Sequence, residues 1–364
     1  MMDSEKDRIY FLDNLRTFLI FLVVLFHSGA VYESNGLFAS FWIVDDLSTN
    51  KLVDIVNLLI DIFILPTLFF IAGYAASLSF KNKNSGTFLK DKFKRLMVPW
   101  LIAVFTLMPV YKIIFLYSRN LPQENWSTYF HFNNGILSQS WLWFLPVLFF
   151  FNTLYIPLQK FKLNISFKKA VFFVFLTGLA YNMFISISGA IGWTKTFFLD
   201  FQNERLLIYF LFFSLGANAY RNRIFEAEIK NKKLYYVINS ILWIPINIYV
   251  FFLIFLFTNQ TIVSVTFHKF VLYLGLHISL LGLVYVAIET FRYYFNKKGN
   301  IWQILNQNSY GVYIIHVIII GLIALTMLDT GIPSLWKYFI LITASYSVSN
   351  LFVYFYKKII KAIV

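Results

Sequence analysis

The chain has 364 residues, of which 59% are hydrophobic, 21% aromatic and only 13% charged, with a mean hydropathy of +0.68. A soluble domain carries about 25% charged residues, so a water-soluble fold is excluded and an all-α, polytopic membrane bundle is expected. The chain contains no cysteine, which excludes disulfides, cysteine-ligated zinc, iron–sulfur clusters and a thioacyl-enzyme.

Apolar stretches lie near residues 11–31, 54–79, 96–117, 141–159, 168–189, 205–220, 235–257, 270–291, 310–328 and 335–356. Each approaches the ~20 residues that cross a bilayer core. Lipid offers no partner to an unpaired backbone group, so about ten transmembrane helices are predicted. They form a single membrane domain over 1–364, without internal repeats. The first run is too long for a signal-peptide core and is followed by further spans, so no cleaved leader is expected.

The net charge of +14 follows from topology. With the N-terminus inside, most of the 31 basic residues fall in cytoplasmic segments. These segments hold Lys6 and Arg8, the runs Lys81–Arg95, Lys160–Lys169, Arg221–Lys233 and Arg292–Lys298, and Lys357, Lys358 and Lys361. The outer segments keep Lys51, Arg119, Lys195, Arg205, Lys269 and Lys337. This asymmetry places both termini in the cytoplasm of a cell-membrane protein. It makes membrane lipids, not nucleic acid, the partner of the positive charge.

The first span, "LDNLRTFLIFLVVLFHSGAVY" (12–32), holds Arg16 and His27. A mid-membrane arginine costs roughly 2.5–3.5 kcal/mol on insertion scales, so such residues face a cavity more often than lipid. Eleven positions separate the two residues. At 100° per residue they share one face, roughly 16 Å apart along the axis. An imidazole titrating near neutrality suits a general base. The alternatives are a satisfied core hydrogen bond for His27 and, for Arg16, snorkelling beside Asp13.

Asp61 falls within the second span and needs a cavity or a partner, with Arg16 one candidate. Beyond it "LPTLFFIAGYAAS" places Phe69, Phe70 and Gly73 where tight helix packing is expected. The third span enters through "GTFLKDKFKRLMVPW" (86–100), where Lys90, Lys92, Lys94 and Arg95 crowd the cytoplasmic mouth and Pro99 shapes the first turn. This cluster suits phosphate binding or simple topological anchoring. Trp141 and Trp143 open the fourth span on the outer side, as a substrate platform or as an aromatic belt. The ninth span starts "NSYGVYIIH" (308–316) and puts Tyr313 and His316 on one face, for function or for packing. His131, His268 and His277 lack the company of metal ligands, and no metal is expected. Glu33, Asp45, Asp46 and Glu124 sit in outer loops, solvated or facing an acceptor.

Taken in order, "RIYFLDNLRTFLIFLVVLFH" (8–27), "LPTLFFIAGY" (65–74), "FLKDKFKRLMVP" (88–99), "WLWFLPVLFF" (141–150) and "NSYGVYIIH" (308–316) resemble the acyltransferase 3 family of integral membrane acyltransferases. The likeness looks closest to the branch containing the succinyltransferase of periplasmic glucans. The family's Arg-ten-residues-His spacing is matched by Arg16 and His27. Its third-span Arg-x-x-Arg, which meets the phosphates of coenzyme A, reads Lys92-Phe-Lys-Arg95 here, so a planar fork becomes a point charge at Lys92.

The resemblance implies about ten helices and transfer of an acetyl or succinyl group from cytoplasmic acyl-CoA to a cell-envelope glycan. On that reading His27 is the base, while Arg16 steers the pantetheine arm or stabilises the thioester oxyanion. Lys92 and Arg95 hold the nucleotide phosphates, Tyr313 and His316 also serve the donor, and Trp141 and Trp143 serve the acceptor. The chain ends soon after its last span, so direct transfer is expected, an acyl-His27 intermediate being the alternative. The competing class is a transporter or flippase of a glycan or lipid-linked glycan, which more often shows paired repeats and broken helices.

Overall fold

The computed structural model describes residues 9–34, 41–131, 138–160, 165–226, 232–258, 260 and 264–363. Lys6, Arg8, Lys162 and Lys230, which enter the charge argument, lie outside the described residues. Most of what is described is helical. The helices are α1 (Tyr10–Gly29), α2 (Lys51–Asp61), α3 (Ile64–Phe80), α4 (Ser85–Lys92), α5 (Val98–Ser118) and α6 (Phe144–Lys160). They continue with α7 (Phe167–Ile187), α8 (Asn203–Arg221), α9 (Lys233–Ile241), α10 (Trp243–Phe257), α11 (Val265–Tyr294), α12 (Asn300–Met327) and α13 (Ser334–Ile363). A two-stranded antiparallel hairpin, β1 (Trp193–Lys195) and β2 (Asp200–Gln202), precedes α8.

Among the described residues nine helical stretches are long and apolar enough to cross a membrane. The tenth expected span, near 205–220, is α8, a helix that is not one of the nine. Glu204, Arg205 and Arg221 at its ends, with Asn203 and Asn218, dilute its apolar centre. The protein is a polytopic helical membrane protein, as the composition requires.

The helices group into two compact units, both within the single domain expected over 1–364. One comprises Met1–Ile64, Pro99–Leu142 and Tyr294–Val364; the other comprises Leu65–Val98 and Trp143–Tyr293. In the first unit α1 packs on α12, α13 and α2, and α12 packs along α13. The buried stripe of α1 runs Leu12, Leu15, Leu19, Leu22 and Val23, the spacing of one helical face. The polar residues Asn14 and Thr17 are buried with it. They are satisfied by α12: Asn306 donates to Asn14 Oδ1 over 2.8 Å, and Thr17 donates to Asn306 Oδ1. Asn14 in turn donates to the Phe295 carbonyl over 2.7 Å.

Phe69, Phe88, Phe151, Tyr209 and Phe213 centre the core of the second unit. Lipid is as apolar as phenylalanine, so close packing rather than water exclusion must hold such helices together. Gly73 and Gly216 permit it. A Cβ on Gly73 would lie 1.8 Å from the Phe213 carbonyl oxygen, and one on Gly216 would lie 1.9 Å from that of Phe70. Gly73 is thus packing, as its sequence context suggested. A five-residue π turn, Phe93–Met97, runs on from α4. Pro99, which lacks an amide hydrogen and crowds the carbonyl four residues back in an α-helix, follows this wider turn.

Candidate active site

The first unit brings His27, His316, Tyr313 and Trp141 into one connected set. His27 Nδ1 lies 2.7 Å from His316 Nε2. His316 is fully buried, and its Nδ1 faces two α12 carbonyls, Tyr313 O at 2.7 Å and Val312 O at 3.2 Å. Carbonyls only accept, so His316 Nδ1 carries the hydrogen and neutral His316 presents its Nε2 lone pair. His27 Nδ1–H must then be the donor, which leaves the His27 lone pair on Nε2. The tautomer is assigned from the hydrogen-bond network, and it is the one a general base needs.

The indole of Trp42 covers His27, stacked at 4.9 Å with 27° between planes. Two bonds hold the segment carrying it. Arg119 Nη2 donates to the Trp42 carbonyl over 3.0 Å, and the Tyr111 hydroxyl donates to the Phe41 carbonyl. Nearer the end of this loop, Asp46 forms a 2.8 Å ion pair with Lys337, both almost fully buried, and Lys337 also donates to the Leu328 carbonyl. Asp46, read from the sequence as solvated or acceptor-facing, is a structural anchor. Neither Trp42 nor Lys337 was singled out beforehand; a lone lysine among the few outer cations was the available signal.

Trp141 is 3% exposed. Its Nε1–H donates to the Ile314 carbonyl over 3.0 Å, and its own carbonyl accepts from the Tyr313 hydroxyl over 2.6 Å. Its ring stacks on Tyr111 at 5.7 Å. Trp141 and Tyr313 therefore latch the turn before α6 onto α12. Arg16 pairs with Asp13 across 3.3 Å and is one-third exposed. It shares the α1 face with His27, yet roughly 16 Å of helix separates their backbones, and its side chain tilts further toward the N-terminus.

The remaining predicted residues belong to the second unit. Lys92 ends α4 with its ammonium 5.1 Å from the Phe88 ring centre, and Arg95 is exposed on the π turn. Trp143 stacks on Tyr209 at 6.0 Å and meets the Trp193 ring edge-on at 5.5 Å. Trp141 and Trp143, expected to act together, thus pack into different units. Among the described residues no group of three His, Cys, Asp or Glu could hold a metal.

A multi-pass helical membrane protein with a hydrogen-bonded histidine pair is the class these features define. A family model described as an acyltransferase domain, that of the acyltransferase 3 family, matches residues 9–354, and the chain belongs to that family. It is similar to "Glucans biosynthesis protein C" of Salmonella schwarzengrund (strain CVM19633) and of Salmonella typhi, 28% identical to each over 240 residues. Those alignments cover 60% of this chain and 60% of each relative, and they bear out the expected likeness to the glucan branch. No solved structure matches.

Proposed function

We propose that this protein transfers an acyl group from cytoplasmic acyl-CoA to a hydroxyl of an extracytoplasmic cell-envelope glycan, with His27 as general base. The observation that carries the reading is the hydrogen-bonded pair that leaves His27 Nε2 with its lone pair. The sugar O–H gives its proton to that nitrogen while its oxygen attacks the thioester carbonyl. The ester C–O bond forms, the C–S bond breaks, and the proton passes from His27 to the leaving thiolate. His316 stays protonated at Nδ1 and accepts from His27 throughout. It orients the base and stabilises the transient imidazolium, the part an aspartate plays in serine hydrolases. His316 is therefore a positioning residue of the reaction rather than a contact of the donor.

Arg16 lies too far along α1 for its guanidinium to bond an oxyanion formed beside His27. Of its two expected roles, contact with a more distant part of the donor is the one its position favours. The phosphates of coenzyme A fall to half-buried Lys92 and exposed Arg95, whose cationic groups suit multiply charged oxygens. The glucan named for the relatives supports a sugar acceptor. Acyl-CoA bearing a labelled acetyl or succinyl group, supplied to inverted vesicles, tests the reading. Label should pass to a glucose tetrasaccharide trapped in the lumen, and its absence with both donors would refute acyl transfer.

A further inference from the structure

Gln139 is fully buried, and among the described residues neither its Oε1 nor its Nε2 has a hydrogen-bond partner. It is the one described side chain with two such atoms. Buried amides are rarely left wholly unpaired in a folded protein, and an exception calls for a cause. The next residue, Ser140, adopts φ +42°, a left-handed conformation costly for a non-glycine residue and frequent where geometry serves function.

The strained turn is stitched to the shell of His27 along two routes. Trp141 joins Tyr313 and Ile314 on α12, from which His316 reaches His27. Tyr111 stacks on Trp141, and its hydroxyl holds the Phe41 carbonyl beside Trp42, which covers His27. These contacts hold the Gln139 backbone in place and leave its amide unspent. The Trp141 indole N–H and the Tyr313 and Tyr111 hydroxyls of the circuit are already occupied by backbone carbonyls.

We propose that Gln139 binds the acceptor sugar, its amide taking two neighbouring hydroxyls. This rests on the acyl-transfer reading and names the acceptor site within it. The chemistry selects the ligand. A thioester carbonyl or a phosphate only accepts and would leave Oε1 unpaired. A vicinal diol supplies both a donor and an acceptor and satisfies both amide atoms at once. Apolar acyl chains satisfy neither.

The test uses the purified full-length protein in lipid nanodiscs, acetyl-CoA and succinyl-CoA as donors, and a glucose tetrasaccharide as acceptor probe. Gln139→Met keeps the volume and removes both polar atoms. We expect the tetrasaccharide KM to rise roughly ten- to a hundredfold, the loss of one or two hydrogen bonds, with the acyl-CoA KM unchanged. Calorimetric binding of the tetrasaccharide alone should weaken in parallel. Because the amide has no partner among the described residues, the melting temperature should hold or rise; a purely structural role predicts that it falls. An unmoved acceptor KM, a shifted donor KM, or a fall in melting temperature would each overturn the assignment. Failure of the wild-type protein to transfer either acyl group would instead refute acyl transfer itself. Wild-type transfer with an unaffected Gln139→Met would refute only the acceptor site.

Discussion

Replacing His316 separates a base-positioning role from a donor-binding one. In His316→Phe the 2.7 Å acceptor of His27 Nδ1–H disappears. A hydrogen bond to a charged group is worth about 1.5–3 kcal/mol and one between neutral groups about 0.5–1.5. Only the difference, about 1–2 kcal/mol, acts on the barrier, because the bond exists in the resting enzyme and strengthens when His27 becomes an imidazolium. That slows turnover about 5- to 30-fold. Loss of the tautomer bias adds a few-fold, so kcat should fall roughly ten- to a hundredfold with the acyl-CoA KM unchanged. His316→Gln sets an amide oxygen near the position of Nε2 and should recover much of the rate. Steady-state kinetics of the purified variants in nanodiscs, with labelled acyl-CoA, read both constants. A raised acyl-CoA KM with kcat intact would refute this reasoning and return His316 to the donor site.

Three further outcomes are expected. If Lys92 and Arg95 hold the coenzyme A phosphates, Arg95→Ala should raise the acyl-CoA KM about ten- to a hundredfold, and Lys92→Arg should preserve or lower it by restoring a planar fork; silence of both Arg95→Ala and Lys92→Ala would move the donor elsewhere. Lys337→Met strands the buried Asp46 carboxylate and should cost about 3–5 kcal/mol of stability, read as a lowered melting temperature, whereas an unchanged one would show that the pair does not anchor the loop. Burial raises the Asp200 pKa from 3.8 to about 6, so folding favours the protonated form: this stability is complete below about pH 4 and is lost as the pH rises through about 6. Asp200→Asn should then raise the melting temperature at pH 7.5 and leave it unchanged at pH 4, and the opposite ranking would contradict the assignment.

Apolar runs made nearly every membrane helix legible, because lipid forces a long hydrophobic segment to be helical. The α8 segment strains the rule. Its apolar centre suggested a span, but charged and amide residues gather at its ends. The shared face of Arg16 and His27 was readable from helical geometry alone. The partner of His27 was not, since His316 lies 289 residues away and nothing local marks the pairing. Tyr313 and His316 were correctly placed on one face, yet one binds the Trp141 carbonyl and the other His27. Trp141 and Trp143 diverge for a backbone reason. They lie in a 3-10 turn, Ser140–Trp143, which rotates about 120° per residue, so two residues on the indoles leave in well-separated directions. Gln139 carried no sequence signal, because an unpaired buried amide is defined only by what surrounds it.

Sided vesicles carrying either wild-type protein or His27→Ala test the central claim most directly. Labelled acyl-CoA is added outside inverted vesicles that enclose a glucose tetrasaccharide, and luminal ester is measured beside the melting temperature of each purified protein. The account predicts luminal product from wild type, none above background from His27→Ala, and cooperative melting of both proteins, the variant somewhat lower because His316 loses its donor. Wild-type levels of luminal ester from His27→Ala would contradict it.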